Sequence, residues 1–373
     1  MPRILHTADW QIGRQYNRFA SDDAVAIAEA RFSVVERIAQ LAVDERVDVV
    51  LVAGDVFDAQ MVSERTIRRL FNATQGFGGI WVMLPGNHDA ALAESVWSRA
   101  VRLKAVPENV RVVLEPGVVA LDELGLAVLT APLTQRQTYQ DLTEWFDTAD
   151  TAPGLIRIGL AHGSVQGVLA EDIDSPNPIA LDRAARANLD YLALGDWHGL
   201  KQIDERTFYS GTPEQERFKD NGAGQVLLVD LPAAGQLPLV EARSVGQFRW
   251  KQWDVELAVA SDLDHLIEQI EALQGNSVLS INLRGQISLG GQQRLLEALA
   301  VAEARHRSVQ CDMADLRLEP TDEDIAGLQA DGYVGEVIAE LRDRQRQDTS
   351  PAARDALSIL AGLLRERNQE HSV

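Results

Sequence analysis

Ile80-Trp81-Val82-Met83-Leu84-Pro85-Gly86-Asn87-His88-Asp89 carries the decisive reading: five apolar residues, a Pro-Gly break, then three side chains able to bind a cation or move a proton. A continuous apolar run stopped by Pro-Gly predicts a strand buried on both faces. The same pattern recurs four times. Arg3-Ile4-Leu5-His6 leads to Asp9 and Gln11, and Asp48-Val49-Val50-Leu51-Val52-Ala53 to Gly54-Asp55. Ile156-Arg157-Ile158-Gly159-Leu160 leads to His162, and Tyr191-Leu192-Ala193-Leu194 to Gly195-Asp196-Trp197-His198. Ligands of open α/β sheets gather beyond the carboxyl ends of strands, so five polar clusters at five strand ends predict one site. Helices are expected between the strands. One runs from Asp22 to about Asp44, with Ile27, Phe32, Val35, Ile38 and Leu41 near helical spacing, and another from a Ser63 cap to about Thr74.

At 373 residues the chain is too long for one ordinary core. A turn or boundary is expected near Asp230-Leu231-Pro232-Ala233-Ala234-Gly235. The expected division is 1–240, 246–320 as a small α/β unit, and 321–373 as a charged helical region. The longest apolar runs fall far short of the ~20 residues a membrane helix needs. The start of the chain has no long apolar segment of the signal-peptide kind. A single cysteine, Cys311, excludes an intrachain disulfide framework and fits a reducing cytoplasm. The net charge of −21 argues against a simple basic nucleic-acid binder. Bound cations or a basic partner would have to meet phosphate instead.

The clustered residue types suit phosphoester hydrolysis, which needs an activated water and neutralised phosphoryl charge. Two divalent cations about 3.5–4 Å apart do both. Gly54-Asp55 has the form of a bridging carboxylate with a glycine that lets the backbone fit. Asn87 offers a neutral oxygen, and His162 and His198 offer imidazole nitrogens. His88 suits proton donation to the leaving oxygen, with Asp89 orienting it. Gly-Asp alone is worthless as a signal, whereas a given tetrapeptide such as Gly-Asn-His-Asp arises by chance in about 0.2% of chains this long.

On these motifs the chain resembles the calcineurin-like metallophosphoesterase superfamily, and within it the SbcD-type DNA-repair nucleases. Gly54-Asp55-Val56-Phe57-Asp58 and Tyr209-Ser210-Gly211-Thr212-Pro213-Glu214 support the likeness, and the Arg-Gly pair usual in the protein phosphatase branch is missing. The resemblance implies an αββα fold: a β-sandwich flanked by helices, followed by a capping domain and C-terminal helices. It implies one metal position at Asp9, Gln11, Asp55 and His198, another at Asp55, Asn87, His162 and Asp196, and His88 as the catalytic histidine. It also implies DNA as substrate, an SbcC-type coiled-coil ATPase docked on the C-terminal region, and a homodimer. Two positions depart from the pattern, since Gln11 and Asp196 stand where histidines are usual. Three carboxylates and two histidines then favour manganese, or magnesium, over zinc. Both ions are expected to bind, with Asp196 a ligand and Gln11 a weak ligand or a supporting group.

Arg14, Trp10 and Trp197 are candidates for substrate contact, by phosphate pairing or base stacking; packing and solvated charge are the plainer readings. His6 reads as a packing residue at a strand end, and His265, His306 and His371 as surface or helix-face residues. The function expected is two-metal hydrolysis of DNA phosphodiesters. A small or cyclic-nucleotide phosphodiesterase of the same fold, and a non-catalytic subunit with a degenerate site, are the alternatives.

Overall fold

The structure, a computed structural model, describes all residues except 169–175, 274, 322–323, 325, 327–331, 348–350 and 371–373. His371 and Ser350 therefore lie outside the described residues. The chain forms two compact units, Met1–Arg249 and Trp250–Val373.

The first unit contains, in chain order, β1 (Arg3–Thr7), α1 (Ser21–Asp44), β2 (Val49–Ala53), α2 (Glu64–Thr74), β3 (Ile80–Leu84), α3 (Val96–Arg102), β4 (Val110–Val112), β5 (Gly117–Leu121) and β6 (Leu126–Ala131). It continues with β7 (Ile156–His162), β8 (Ser164–Val165), β9 (Pro178–Ile179), α4 (Arg183–Arg186), β10 (Tyr191–Gly195), β11 (Lys201–Gln202), β12 (Thr207–Tyr209), β13 (Gln225–Asp230) and β14 (Leu239–Ser244). Two six-stranded sheets result, ordered β14-β13-β1-β2-β3-β4 and β11-β12-β10-β7-β6-β5. Strands β1 to β4 run parallel, as do β6, β7, β10 and β12.

Side chains alternate across a strand, and each strand feeds two cores. Ile4, Val49, Leu51 and Val82 face Val128, Ile158, Leu160, Tyr191 and Ala193 of the other sheet. Leu5, Val50, Val52, Trp81 and Met83 face the opposite way, onto Val34, Val35 and Ile38 of α1 and Ile67 and Leu70 of α2. The outer face of the second sheet packs Leu129, Ala161, Leu192 and Leu194 against Phe146, Ala184 and Leu189. Burial on both faces is why these strands read as unbroken apolar runs. The result is the expected αββα layering. Ser63 caps α2 as expected, its Oγ accepting from the Thr66 amide at 3.0 Å.

Pro232–Gly235 lies in the connection between β13 and β14, which pair antiparallel from Gln225↔Ser244 to Asp230↔Leu239. The expected boundary at residue 240 therefore falls inside an edge strand, and the unit continues to Arg249.

The second unit is built from β15 (Arg249–Leu257), α5 (Ala260–Glu271), β16 (Ser277–Ile287), α6 (Leu289–Arg305) and β17 (Ser308–Leu318), with the sheet ordered β15-β16-β17. Leu263, Leu266 and Ile270 of α5 and Leu295 and Leu299 of α6 bury against Leu279, Ile281 and Leu283 of β16. Two more helices, Tyr333–Gln347 and Pro351–Glu370, follow. Ile338, Leu357, Ala361 and Leu364 pack with Leu289 in a small core of this unit. No helix among the described residues is long and apolar enough to cross a membrane.

Candidate metal centre

The carboxyl ends of β1, β2, β3, β7 and β10 converge. Backbone hydrogen bonds zip the segments after β1 and β2 together: Asp9 N to Gly54 O at 3.0 Å, Gln11 N to Asp55 O at 2.9 Å, and Ile12 N to Val56 O at 2.9 Å. Asp9 and Asp55 are thereby fixed side by side. Asp9 (φ 54°), Gln11 (φ 47°), Asp55 (φ 51°) and Asp196 (φ 102°) all adopt positive φ, four of eight such non-glycine residues among the described ones. Sparsely populated backbone of this kind clusters where function over-determines it. Gly54 (φ +87°) is needed because His162 packs on it: a Cβ there would lie 2.3 Å from His162 Nδ1.

Ligand atoms of Asp9, Asp55 and His162 lie within 4.8 Å of one another, and all three residues are buried. His162 Nδ1 is 2.8 Å from the Ala53 carbonyl oxygen, so Nδ1–H donates there and the Nε2 lone pair faces the centre. Nε2 lies 2.9 Å from Asn87 Oδ1, 3.6 Å from Asp55 Oδ1 and 3.7 Å from Asp196 Oδ1. As placed, Asn87 Oδ1 meets only acceptors; turning the amide over would let its nitrogen donate to Asp55 and His162. A cation resolves the same conflict without rotation and also offsets the charge of buried Asp9 and Asp55 and half-buried Asp196. The donor set fits divalent metal.

The electrostatics agree. Burial pushes Asp9 up to about 6, against the pull of His198 and His162. Burial pushes His162 down, but Asp55, Asp9 and Asp196 outweigh it and raise it to about 9. So many carboxylates in a low-dielectric pocket hold protons where a cation would otherwise sit.

His198 is held differently. Its Nδ1 is 2.5 Å from Glu216 Oε1. Arg217 flanks this pair, bonded to Glu216 Oε1 and with Nη2 2.8 Å from Nδ1. Glu216 is buried and also pairs with Arg31, at 3.2 Å, and Arg14, at 3.0 Å. Burial favours the neutral acid, yet His198 and the arginines hold the Glu216 carboxyl well below its usual range. Such carboxylate–histidine pairs fix the tautomer that ligates metal. Glu216 was missed from sequence: Gln215-Glu216-Arg217-Phe218-Lys219 reads as solvated charge, and only its nearness to Tyr209–Glu214 hinted otherwise.

The other predicted residues divide. His88 Nδ1 donates to the Asp58 carbonyl at 2.8 Å, and its Nε2 is 3.9 Å from Asp55 Oδ2, on a ring 40% exposed. Asp89 turns to the backbone instead of orienting that ring. Its carboxylate accepts from Phe57 N at 3.1 Å and Gly86 N at 2.7 Å, bracing the β2 and β3 loops. Gln11 directs its oxygen to Arg14 and its nitrogen to His198 Nε2, at 3.2 Å. Trp10 is fully buried in the α1-side core, donating to Thr7 Oγ1 at 2.9 Å and meeting Trp81 edge-on, so it cannot reach substrate. Positive φ on both sides of it turns its ring away from the centre. Trp197 is half-buried, with Lys201 and Lys219 each 4.8 Å from its ring centroid. Arg14 also pairs with Asp58 at 3.3 Å.

The family model described as calcineurin-like phosphoesterase matches residues 2–226. The chain is 25% identical over 282 residues to an uncharacterized metallophosphoesterase, YhaO, of Bacillus subtilis, covering 72% of this chain and 66% of that protein. It is 28% identical over 279 residues to the DNA double-strand break repair protein Mre11 of Aeropyrum pernix, covering 69% and 64%. It is 25% identical over 341 residues to the SbcD component of the SbcCD nuclease of Bacillus subtilis, covering 79% and 83%. The matched segments thus span just under two thirds of the first two relatives' length. With the metal-ligand geometry at the ends of a two-sheet sandwich and a family match over more than half its length, the chain belongs to the calcineurin-like phosphoesterase family.

Proposed function

We propose that the chain is a divalent-metal-dependent phosphodiesterase acting on DNA, in the manner of the nuclease components it is similar to. The observation that carries this is the convergence of Asp9, Asp55 and His162 with Asn87 Oδ1, flanked by a ring-exposed His88. Bound divalent ions, manganese or magnesium by the oxygen-rich donor set, would supply Lewis-acid stabilisation of phosphoryl oxygens and an acidified water. Asp9, Asp55, Asn87, His162, Asp196 and His198 would hold them. His88 acts as general acid: its Nδ1–H is committed to Asp58, leaving Nε2 to carry a proton to the leaving oxygen. Glu216 keeps His198 in the ligating tautomer. Trp197, Lys201 and Lys219 offer an aromatic and cationic surface beside Asp196 and His198 for the substrate strand.

DNA is favoured because similarity to the SbcCD nuclease component extends over 79% of the chain, beyond the first unit. In this reading the second unit caps the DNA end, its C-terminal helices dock an SbcC-type ATPase, the chain pairs as a homodimer, and it works in the cytoplasm. The net charge of −21 favours a second reading, a small phosphodiester as substrate. One assay separates them. Protein with manganese is given end-labelled duplex DNA, single-stranded DNA or bis-p-nitrophenyl phosphate, alongside His88→Ala. DNA cleavage lost in the variant supports the first reading. Cleavage of the small diester alone supports the second, and no turnover on any substrate refutes both.

A further inference from the structure

Two histidines face the centre, each with a side-chain amide beside its ligating nitrogen, and among the described residues an arginine anchors the amide at His198 but not the one at His162. Around His162 Nε2 stand Asp55, Asp196 and the Asn87 amide, which meets it at 2.9 Å with its oxygen or, turned over, with its nitrogen. Around His198 Nε2 stands a donor. Arg14 Nη1 donates to Gln11 Oε1, which fixes the orientation of that amide. The Gln11 NH2 then points at His198 Nε2, 3.2 Å away. An amide NH2 can only donate, so His198 Nε2 accepts from Gln11 and the ring proton is left at Nδ1, 2.5 Å from Glu216 Oε1. The chain of donors has one consistent direction: Arg14 to Gln11, Gln11 to His198, His198 to Glu216. Arg14 is itself anchored by Glu216 and Asp58, so the chain closes into a ring. The lone pair a cation would use is already occupied by an amide proton.

We infer that the centre is asymmetric, with the Gln11–Arg14 pair as the cause. Asp55, Asn87, His162 and Asp196, with Asp9 beside them, hold one divalent cation tightly. The position served by His198 is latched by Gln11 and takes a second cation only weakly. The inference rests on reading the site as a metal centre. To fill the second position, Gln11 must turn its NH2 away from His198 and break its bond with Arg14. At the His162 side the Asn87 amide need only present its oxygen, and among the described residues no arginine bond has to break for it to do so.

The test is manganese binding to the metal-free full-length protein, by titration calorimetry and low-temperature electron paramagnetic resonance. One ion per chain should bind tightly with a mononuclear spectrum, and a second at least about 100-fold more weakly, the scale set by loss of a ligand or its supporting partner. Gln11→His replaces the latch with an imidazole ligand. It should bring the second affinity within about tenfold of the first and give the spectrum of two exchange-coupled ions. If Gln11→His does not fold, Arg14→Ala serves, because it frees the amide to rotate and should tighten the second ion by about tenfold. Two ions taken up by the native protein in one tight phase would overturn the asymmetry and leave the phosphodiesterase reading standing. So would a folded variant whose second affinity is unchanged. Failure to bind any ion would remove both.

Discussion

His6 lies fully buried between the two sheets, its Nδ1 2.9 Å from the Tyr191 hydroxyl and its Nε2 3.1 Å from the Leu194 carbonyl oxygen. The geometry assigns a neutral ring that donates from Nε2 and accepts at Nδ1. Burial drives its pKa down to about 3, only partly opposed by the Leu194 bond. In the unfolded chain the same ring titrates at about 6.5. Above that pH both states are neutral, and the full contribution to stability is present. As pH falls below it, the unfolded state binds a proton that the folded state refuses, and stability drains away until the folded ring protonates near 3. The loss is about 2 kcal/mol at pH 5 and approaches about 5 kcal/mol at pH 3. Asp9 and Asp89, raised by burial to about 6 and about 7, run the other way and stabilise the folded state as pH falls. The comparison that isolates His6 is therefore urea unfolding of metal-free native protein and His6→Gln, each at pH 8 and pH 5. The glutamine variant is weaker at both, but the native protein should lose about 2 kcal/mol more between them. Equal losses within about 0.5 kcal/mol would mean that His6 takes up a proton in the fold, and the buried neutral ring would be wrong.

Glu216→Gln removes the charge that holds His198 and compensates buried Arg31. It should weaken manganese affinity or turnover by about 10–100-fold and cost about 3–5 kcal/mol of stability, read by calorimetry and thermal unfolding. Trp10→Ala should cost about 3–5 kcal/mol through the cavity it leaves. Trp197→Ala should leave the Tm nearly unchanged and raise KM for DNA, measured on end-labelled substrate. Gly54→Ala drives a methyl into His162 and should abolish manganese uptake while far-ultraviolet circular dichroism stays native.

The strands that position the site were legible because burial on both faces makes each a continuous apolar run. Their polar ends were legible because ligand residues have no other reason to follow such runs. A strand that carries no ligand was harder to find. Leu126-Ala127-Val128-Leu129-Thr130-Ala131 is as apolar as any of the others, but no ligand follows it, so nothing singled it out. The Pro-Ala-Ala-Gly stretch left a turn and a boundary open, and it is the turn of the β13–β14 hairpin. Within the site, sequence neighbours misled twice. Trp10 sits between Asp9 and Gln11 yet points into the core. Asp89 follows His88 yet serves the backbone. Glu216 was invisible for the opposite reason, since only a fold that buries Arg31 makes a carboxylate there worth burying.

The left-handed backbone at Asp9, Gln11, Asp55 and Asp196 has a consequence for how this molecule can change. Each such residue costs on the order of 1–3 kcal/mol relative to relaxed backbone, and glycine would relieve most of it at any one position. A screen that rewarded heat resistance alone would therefore be drawn to these four positions first. It would yield sturdier proteins with an empty hollow at the ends of the strands.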